Sequence, residues 1–217
     1  GQPLQPSRSR AAVSHDAGGA EVVSAYLKSR IKNIQPVCLV AGPAEKVYAK
    51  RGLNSFFVLL EKRNQIFEMY PDIDLVLTST SWPSKLELKM IELAKKANIK
   101  TATYLDSWVN YRERFDYPNK GWENNLPEEI WIGDRAAKKL ANNLFPKEVK
   151  IKFVKNCFFE EFKKSYRDAK KTVKNVSAIL FASQPLAIMP KGEKDRGTID
   201  EFAVLKDLLN ELKEINF

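Results

Sequence analysis

Cysteine, histidine and long apolar runs are scarce in this 217-residue sequence. It has two cysteines and one histidine, and Cys38 and Cys157 lack any metal-ligand spacing, so we interpret both as reduced core thiols and expect no metal site. No apolar run approaches the roughly 18 residues of a membrane-spanning helix, and the N-terminus has no apolar signal core. We therefore expect a globular protein of the cytoplasm.

Positive charge is in excess. Lysine and arginine number 36 against 27 acidic residues, which gives a formal net charge of +9. The lysines are spread over many predicted helix faces, and the sequence has no arginine-rich tract, aromatic-interleaved sheet motif or zinc finger, so nucleic-acid binding is disfavoured. Attraction to a phosphorylated ligand or to anionic lipid at the inner membrane face explains the charge at least as well, and both alternatives stay open.

Short apolar runs alternate with segments of helical periodicity. The run Leu75 to Leu77 is typical of a strand buried in a parallel sheet, and the apolar spacing that follows predicts a helix with Pro83 at its first position and Ser81 or Trp82 near its cap. Further strands are predicted at residues 11–14, 35–41, 99–105, 129–134 and 151–154, with helices between them. This order predicts an α/β fold with a Rossmann-like, doubly wound and mostly parallel sheet.

The pattern divides the chain into three parts. Residues 1–9 are predicted to be a flexible leader, and residues 10–172 an N-terminal Rossmann-like domain. Residues 173–217 carry one predicted buried strand at 176–185 and one amphipathic helix at 199–215, whose apolar stripe needs a partner. They are interpreted as the start of a second α/β domain, with a return to the first sheet as the alternative.

Polar residues follow the predicted strands. Thr80 and Ser81 come after one strand and Asp106 after the next, and a right-handed crossover brings them to one sheet edge, where ligands of open α/β sheets bind. The alternative is that the hydroxyl groups cap the helix and that Asp106 is only a loop acid.

A glycine turn follows the first predicted strand. Gly18 and Gly19 permit positive φ and a close approach of the backbone to a ligand, and the next helix offers unpaired amide groups. The turn lacks the G-x-G-x-x-G spacing, so no nicotinamide cofactor is predicted. His15 and Asp16 are candidate chemical groups, with His15 as a base or a ligand for a substrate hydroxyl. Alternatively, the pair only orders the loop.

The loop after residue 105 is rich in aromatic and cationic side chains. Its candidate binding residues are Trp108, Asn110, Tyr111, Arg112 and Arg114. Aromatic rings stack on sugars or bases, and guanidinium groups clamp phosphate or carboxylate. In the alternative interpretation the rings pack the loop onto the domain and the arginines remain in solvent.

Four segments together resemble one family: residues 15–21 (HDAGGAE), 105–115 (LDSWVNYRERF), 126–134 (LPEEIWIGD) and 179–185 (ILFASQP). They look like bacterial surface-polysaccharide proteins of the two-Rossmann-domain glycosyltransferase class, whose architecture is shared with nucleotide-sugar 2-epimerases. The resemblance implies that His15, Asp16 and Asp106 face a catalytic cleft, that the loop after Asp106 lines the acceptor side, and that Ser183 and Gln184 begin the donor side.

The implied activity is sugar transfer from a nucleotide-sugar to a polysaccharide or lipid-linked acceptor, with no cofactor. The expected partners are the nucleotide-sugar and the glycan acceptor. The sequence reaches residue 217 after one strand and one helix of the second domain, so it is expected to supply the acceptor-side portion. A nucleotide-sugar epimerase or hydrolase and a non-catalytic glycan- or nucleotide-binding module remain alternatives. The sequence carries no indication of the oligomeric state.

Overall fold

The computed structural model describes residues 8–170, 180–183 and 200–214. Within them it is an α/β protein with one sheet of parallel strands, which confirms the predicted fold class. The strands are β1 (Arg8–Ser14), β2 (Ile34–Val40), β3 (Ile73–Thr78), β4 (Lys100–Leu105), β5 (Glu129–Ile132) and β6 (Lys150–Phe153). The α-helices are α1 (Ala17–Arg30), α2 (Pro43–Lys50), α3 (Ile66–Met69), α4 (Leu86–Lys96), α5 (Arg135–Leu144), α6 (Cys157–Lys170) and α7 (Glu201–Glu214).

The sheet has the strand order β2-β1-β3-β4-β5-β6. The chain passes from β1 to β2 on one side and then returns to place β3 on the other side of β1, so Ala12 lies between Cys38 and Leu77. Because every strand is parallel, all the carboxyl ends lie at one edge. The ends of β1 and β3 form the topological switch point, which is the usual ligand position in open α/β sheets.

Helices cover both faces of this sheet. Successive residues of β1 point to opposite faces, so Ala12 packs in a cluster with Tyr26 of α1, whereas Val13 packs in another cluster with Met90 of α4. On the sheet face that α4 covers, helix α5 contributes Ala137 to a third cluster. Each fully buried aliphatic side chain stabilises the fold by about 1.5–3 kcal/mol, so these clusters fix the strands and the edge they share.

The start of α4 differs from its prediction. The helix begins at Leu86, and Pro83 lies in the turn before it rather than at the first helical position. The side chain of Ser81 accepts a hydrogen bond from the Ser84 amide at 3.2 Å, and that of Ser84 accepts one from the Leu86 amide at 3.1 Å. These two hydroxyl groups stabilise a non-helical turn, so α4 begins about three residues later in the chain than predicted.

Two further expectations need correction. Cys38 is buried, and burial raises the pKa of its thiol to about 12, but Cys157 is only half-buried at the start of α6 and is therefore not a core thiol. Residues 180–183 form no strand and Leu180 is 89% exposed, so a buried strand is not observed in this part of residues 176–185. The other residues of that predicted strand lie outside the described residues.

The chain divides into two compact units, Gly1–Asp168 and Ala169–Phe217. The first contains the whole sheet, and β1 starts at Arg8, inside the segment interpreted as a leader. In the second, α7 matches the amphipathic helix predicted at 199–215 and exposes Phe202 and Leu209. No helix among the described residues is long and apolar enough to cross a membrane.

Candidate functional site

The switch point brings His15, Asp16 and Ser81 together. The Nδ1 atom of His15 lies 2.8 Å from Oδ1 of Asp16, and the Ser81 hydroxyl donates to the same oxygen at 2.9 Å. The backbone amide of Trp82 donates to the other carboxylate oxygen at 3.3 Å. A carboxylate only accepts hydrogen bonds, so this contact favours the ring tautomer that carries its proton on Nδ1.

Asp16 occupies the cap position of α1 without capping it. Its backbone is extended, as a cap residue requires, but its carboxylate is turned toward His15 and Ser81 and accepts no hydrogen bond from the helix. The amide groups of the first turn of α1 therefore have no side-chain cap. They lie at the positive end of the helix dipole beside the imidazole.

The loop after β2 encloses the imidazole of His15. Gly42 adopts φ +57°, and a Cβ atom at this position would lie 2.8 Å from Nε2 of His15. The Ala44 amide also donates to the carbonyl oxygen of His15 at 2.9 Å. The side chain of His15 is 22% exposed, so the ring is held by its surroundings and still accessible. Only glycine combines this φ with the space that the ring requires.

Gly18 and Gly19 have a different use from the one predicted. Both lie inside the first turn of α1 with negative φ, so the expectation of positive φ is wrong. A Cβ atom would lie 2.8 Å from Oδ2 of Asp106 at Gly18 and 2.6 Å from Cβ of Ser79 at Gly19. The two glycines therefore let α1 approach the residues that follow β3 and β4.

Asp106 and Arg114 form the other side of the site. Arg114 Nη1 donates to Oδ1 of Asp106 at 2.9 Å and to the Thr80 hydroxyl at 2.5 Å. The two charged side chains are 19% and 11% exposed. The arginine thus links the end of β3 to the loop after β4. Arg112 has another partner, because its guanidinium lies 4.2 Å from the ring centroid of Tyr117. The two arginines do not form one clamp.

The remaining candidate residues of this loop differ in their exposure to solvent. Trp108 is 64% exposed and donates from Nε1 to Asp134 at 2.8 Å, and Asn110 is exposed with φ 55°. Tyr111 is buried and its ring stacks on Phe145 at 6.1 Å between centroids. Tyr111 therefore matches the alternative in which the ring packs the loop onto the domain.

Glu87 is a site residue that the sequence pattern did not reveal. It is 2% exposed, and its Oε1 accepts hydrogen bonds from the His15 amide at 2.9 Å and from the Ser79 hydroxyl at 3.2 Å. Its Oε2 is buried without a hydrogen-bond partner among the described residues. Burial raises the pKa of this carboxyl against the opposing effect of its hydrogen bonds. Through these two hydrogen bonds, Glu87 connects the residues that follow β1 and β3.

On the predicted donor side, Ser183 is exposed in residues 180–183, and Gln184 lies outside the described residues. In the part of the chain that the structure describes, no three His, Cys, Asp or Glu side chains are grouped as a metal site would require. Comparison of the chain with protein-family models, curated protein sequences and solved structures finds no match.

Proposed function

We propose that the protein is glycosyltransferase-like and transfers a sugar from a nucleotide-sugar to a polysaccharide or lipid-linked acceptor. The observation that carries the proposal is the His15–Asp16 pair at the switch point, where a 2.8 Å contact to the carboxylate favours the ring tautomer with its proton on Nδ1. An imidazole in this state is a general base suited to a hydroxyl group. The resemblance to the two-Rossmann-domain class supports the same reaction.

In the proposed step, Nε2 of His15 takes the proton of the acceptor hydroxyl. The acceptor oxygen forms a bond to the anomeric carbon, and the bond from that carbon to the diphosphate oxygen breaks. Asp16 stabilises the imidazolium that results, through the hydrogen bond at Nδ1. The amide groups of the first turn of α1 and the Asp106-paired Arg114 stabilise the diphosphate that leaves.

Nucleotide-sugar and glycan acceptor are thus the proposed partners, and the cytoplasm is the proposed compartment. A lipid-linked acceptor would bring the protein to the inner face of the membrane. The net charge of +9 favours such an anionic surface.

The test is calorimetry with uridine, cytidine and guanosine diphosphate sugars, together with an assay for released nucleotide. With Asp16→Asn we expect turnover to fall by about 10²-fold or more, because the imidazole loses its charged partner. Asp72→Asn is the matched control, since Asp72 precedes β3 at the opposite edge and bonds to Ser9.

The products separate the alternatives. Free sugar would indicate a hydrolase, an altered sugar on the nucleotide an epimerase, and binding without turnover a non-catalytic module. Equal turnover of Asp16→Asn and Asp72→Asn would contradict the role given to His15.

A further inference from the structure

A cavity of about 720 Å³ opens at the carboxyl ends of β4, β5 and β6, on the same edge of the sheet as the switch point. Its size lies within the range of about 300–1,000 Å³ that is usual for small-molecule sites. It shares Asp106 with the switch-point site, and the proposed reaction leaves the rest of it without a use. All of its lining residues belong to the first compact unit.

Three aromatic rings line this cavity and are open to solvent. Trp108, Phe153 and Phe159 are 64%, 56% and 55% exposed, and they come from a loop, a strand and a helix. Such rings would ordinarily be buried, and their convergence in one concave place indicates a ligand with flat apolar faces.

Backbone and side-chain contacts fix the walls. The indole of Trp108 is oriented by its hydrogen bond to Asp134, and the amide of Phe159 donates to Oδ1 of Asn156 at 3.1 Å. At the floor, the Tyr104 hydroxyl donates to the carbonyl oxygen of Val154 at 2.9 Å. The cavity is therefore formed before any ligand arrives, which reduces the entropic cost of binding.

Acidic groups outnumber basic groups in the lining of the cavity, where Lys155 and Lys163 are set against the carboxylates of Asp106, Asp134 and Glu160. Lys155 and Lys163 both pair with Glu160, at 3.2 and 3.3 Å, and Asp134 accepts a hydrogen bond from the Ala137 amide at 2.7 Å. With three carboxylates against two lysines, the cavity is poorly suited to a phosphate group. It is suited to an uncharged ligand that has many hydroxyl groups.

We propose that this cavity binds a saccharide unit of the acceptor. A pyranose ring presents C–H faces that pack on the electron-rich faces of aromatic rings. Its hydroxyl groups meet the acceptors of Asp134 and Glu160 and the amide of Asn156. The identity of the ligand as an acceptor rests on the proposed function, whereas the binding of a saccharide does not require turnover.

The test is saturation-transfer NMR on the full chain with di- and trisaccharides of glucose, galactose, mannose and N-acetylglucosamine, and with uridine monophosphate as the competing probe. At least one saccharide is expected to bind. Trp108→Ala and Phe159→Ala are expected to weaken it about tenfold, through lost ring contacts. Phe162→Ala is the matched control, because Phe162 lies on α6, is 58% exposed and does not line the cavity.

Trp108→Phe keeps an aromatic face and is expected to retain most of the binding, which separates stacking from a change in folding. The proposal is overturned if no saccharide binds, if Trp108→Ala and Phe159→Ala bind as Phe162→Ala does, or if uridine monophosphate occupies the cavity instead. Saccharide binding without release of nucleotide from any nucleotide-sugar would support the cavity and count against the proposed reaction.

Discussion

At the scale of single residues, His15 has a practical advantage, because it is the one histidine of the sequence and its ring signals are unambiguous in NMR spectra. The ring touches the chain on two sides, at Asp16 through Nδ1 and at Gly42 beside Nε2. Substitutions on either side should therefore be visible at the imidazole itself. They need not be inferred from activity alone.

Gly42→Ala should displace the imidazole of His15. The new Cβ would lie 2.8 Å from Nε2, and alanine at φ +57° and ψ −139° adds about 1–3 kcal/mol of backbone strain. We expect a lower free energy of unfolding in urea and a shifted His15 ring signal. Gly52→Ala is the control, because Gly52 also has positive φ but its Cβ would approach nothing closer than 3.8 Å. An unmoved His15 signal in Gly42→Ala would contradict the close contact.

Glu87→Gln should change how stability depends on pH. Burial raises the pKa of Glu87 above its ordinary value of 4.5, so the folded state binds the proton more tightly than the unfolded state does. The wild type should therefore lose stability relative to Glu87→Gln as pH rises from 4.5 through the raised pKa, by up to about 1.4 kcal/mol per pH unit. Urea unfolding between pH 4.5 and 7 measures this difference.

The matched control is Glu92→Gln on the same helix. Hydrogen bonds from Lys96 and Lys89 lower the pKa of Glu92 to about 2, so Glu92 stays ionised in the folded state between pH 4.5 and 7 and loses protons only in the unfolded state. The wild type should therefore gain a little stability relative to Glu92→Gln as pH rises, which is opposite in sign to the expectation for Glu87→Gln. The same sign for both variants would show that the pKa of Glu87 is not shifted upward.

Sequence reasoning predicted that His15, Asp16 and Asp106 lie at one edge, because strand ends in a parallel sheet must share an edge, and the structure brings them to that edge. It missed Glu87, although Glu87 falls at helical spacing with Met90, Ile91 and Ala94, because a charged residue is normally assigned to the solvent face. The helical spacing of Glu87 with these buried residues was the signal that could have identified it.

At the scale of elements, Gly19 controls the distance between α1 and β3. At an exposed helix position, substitution of glycine by alanine stabilises a protein by about 0.5–1 kcal/mol. A Cβ at Gly19, however, would lie 2.6 Å from Cβ of Ser79. We expect Gly19→Ala to destabilise the protein by about 1–3 kcal/mol, since the helix must shift. Urea unfolding checks the sign. A stabilised Gly19→Ala variant would contradict the tight packing of α1 on this edge.

The strands were more predictable than the helix boundaries. Runs such as Leu75 to Leu77 are buried on both faces, so their composition alone identifies them. The start of α4 was not predictable, because it depends on a Ser81 hydroxyl that also bonds to Asp16, 65 positions away in the chain. The environments of Tyr111 and Trp108 were not predictable either. The two residues lie three positions apart in one loop, but Tyr111 is buried against Phe145, whereas Trp108 is exposed and bonds to Asp134.

At the scale of the whole molecule, the strand order β2-β1-β3-β4-β5-β6 places the switch-point side chains and the aromatic cavity on one edge of the sheet. The switch-point site carries the proposed base, His15, and the aromatic cavity lies beside it and shares Asp106. This arrangement suits a reaction between two substrates, one at each region. A fold of this class hosts many activities, so the conclusion depends on the side chains at the edge.

The most direct measurement of the central proposal is the His15 ring signal during titration with nucleotide-sugars. If the switch point binds the reacting groups, a nucleotide-sugar that binds by calorimetry will shift the Hε1 and Hδ2 resonances of His15, and Gly42→Ala will weaken that response. Binding that leaves the His15 resonances unchanged, or no binding by any nucleotide-sugar of the panel, would contradict the assignment of the switch point as the reaction site.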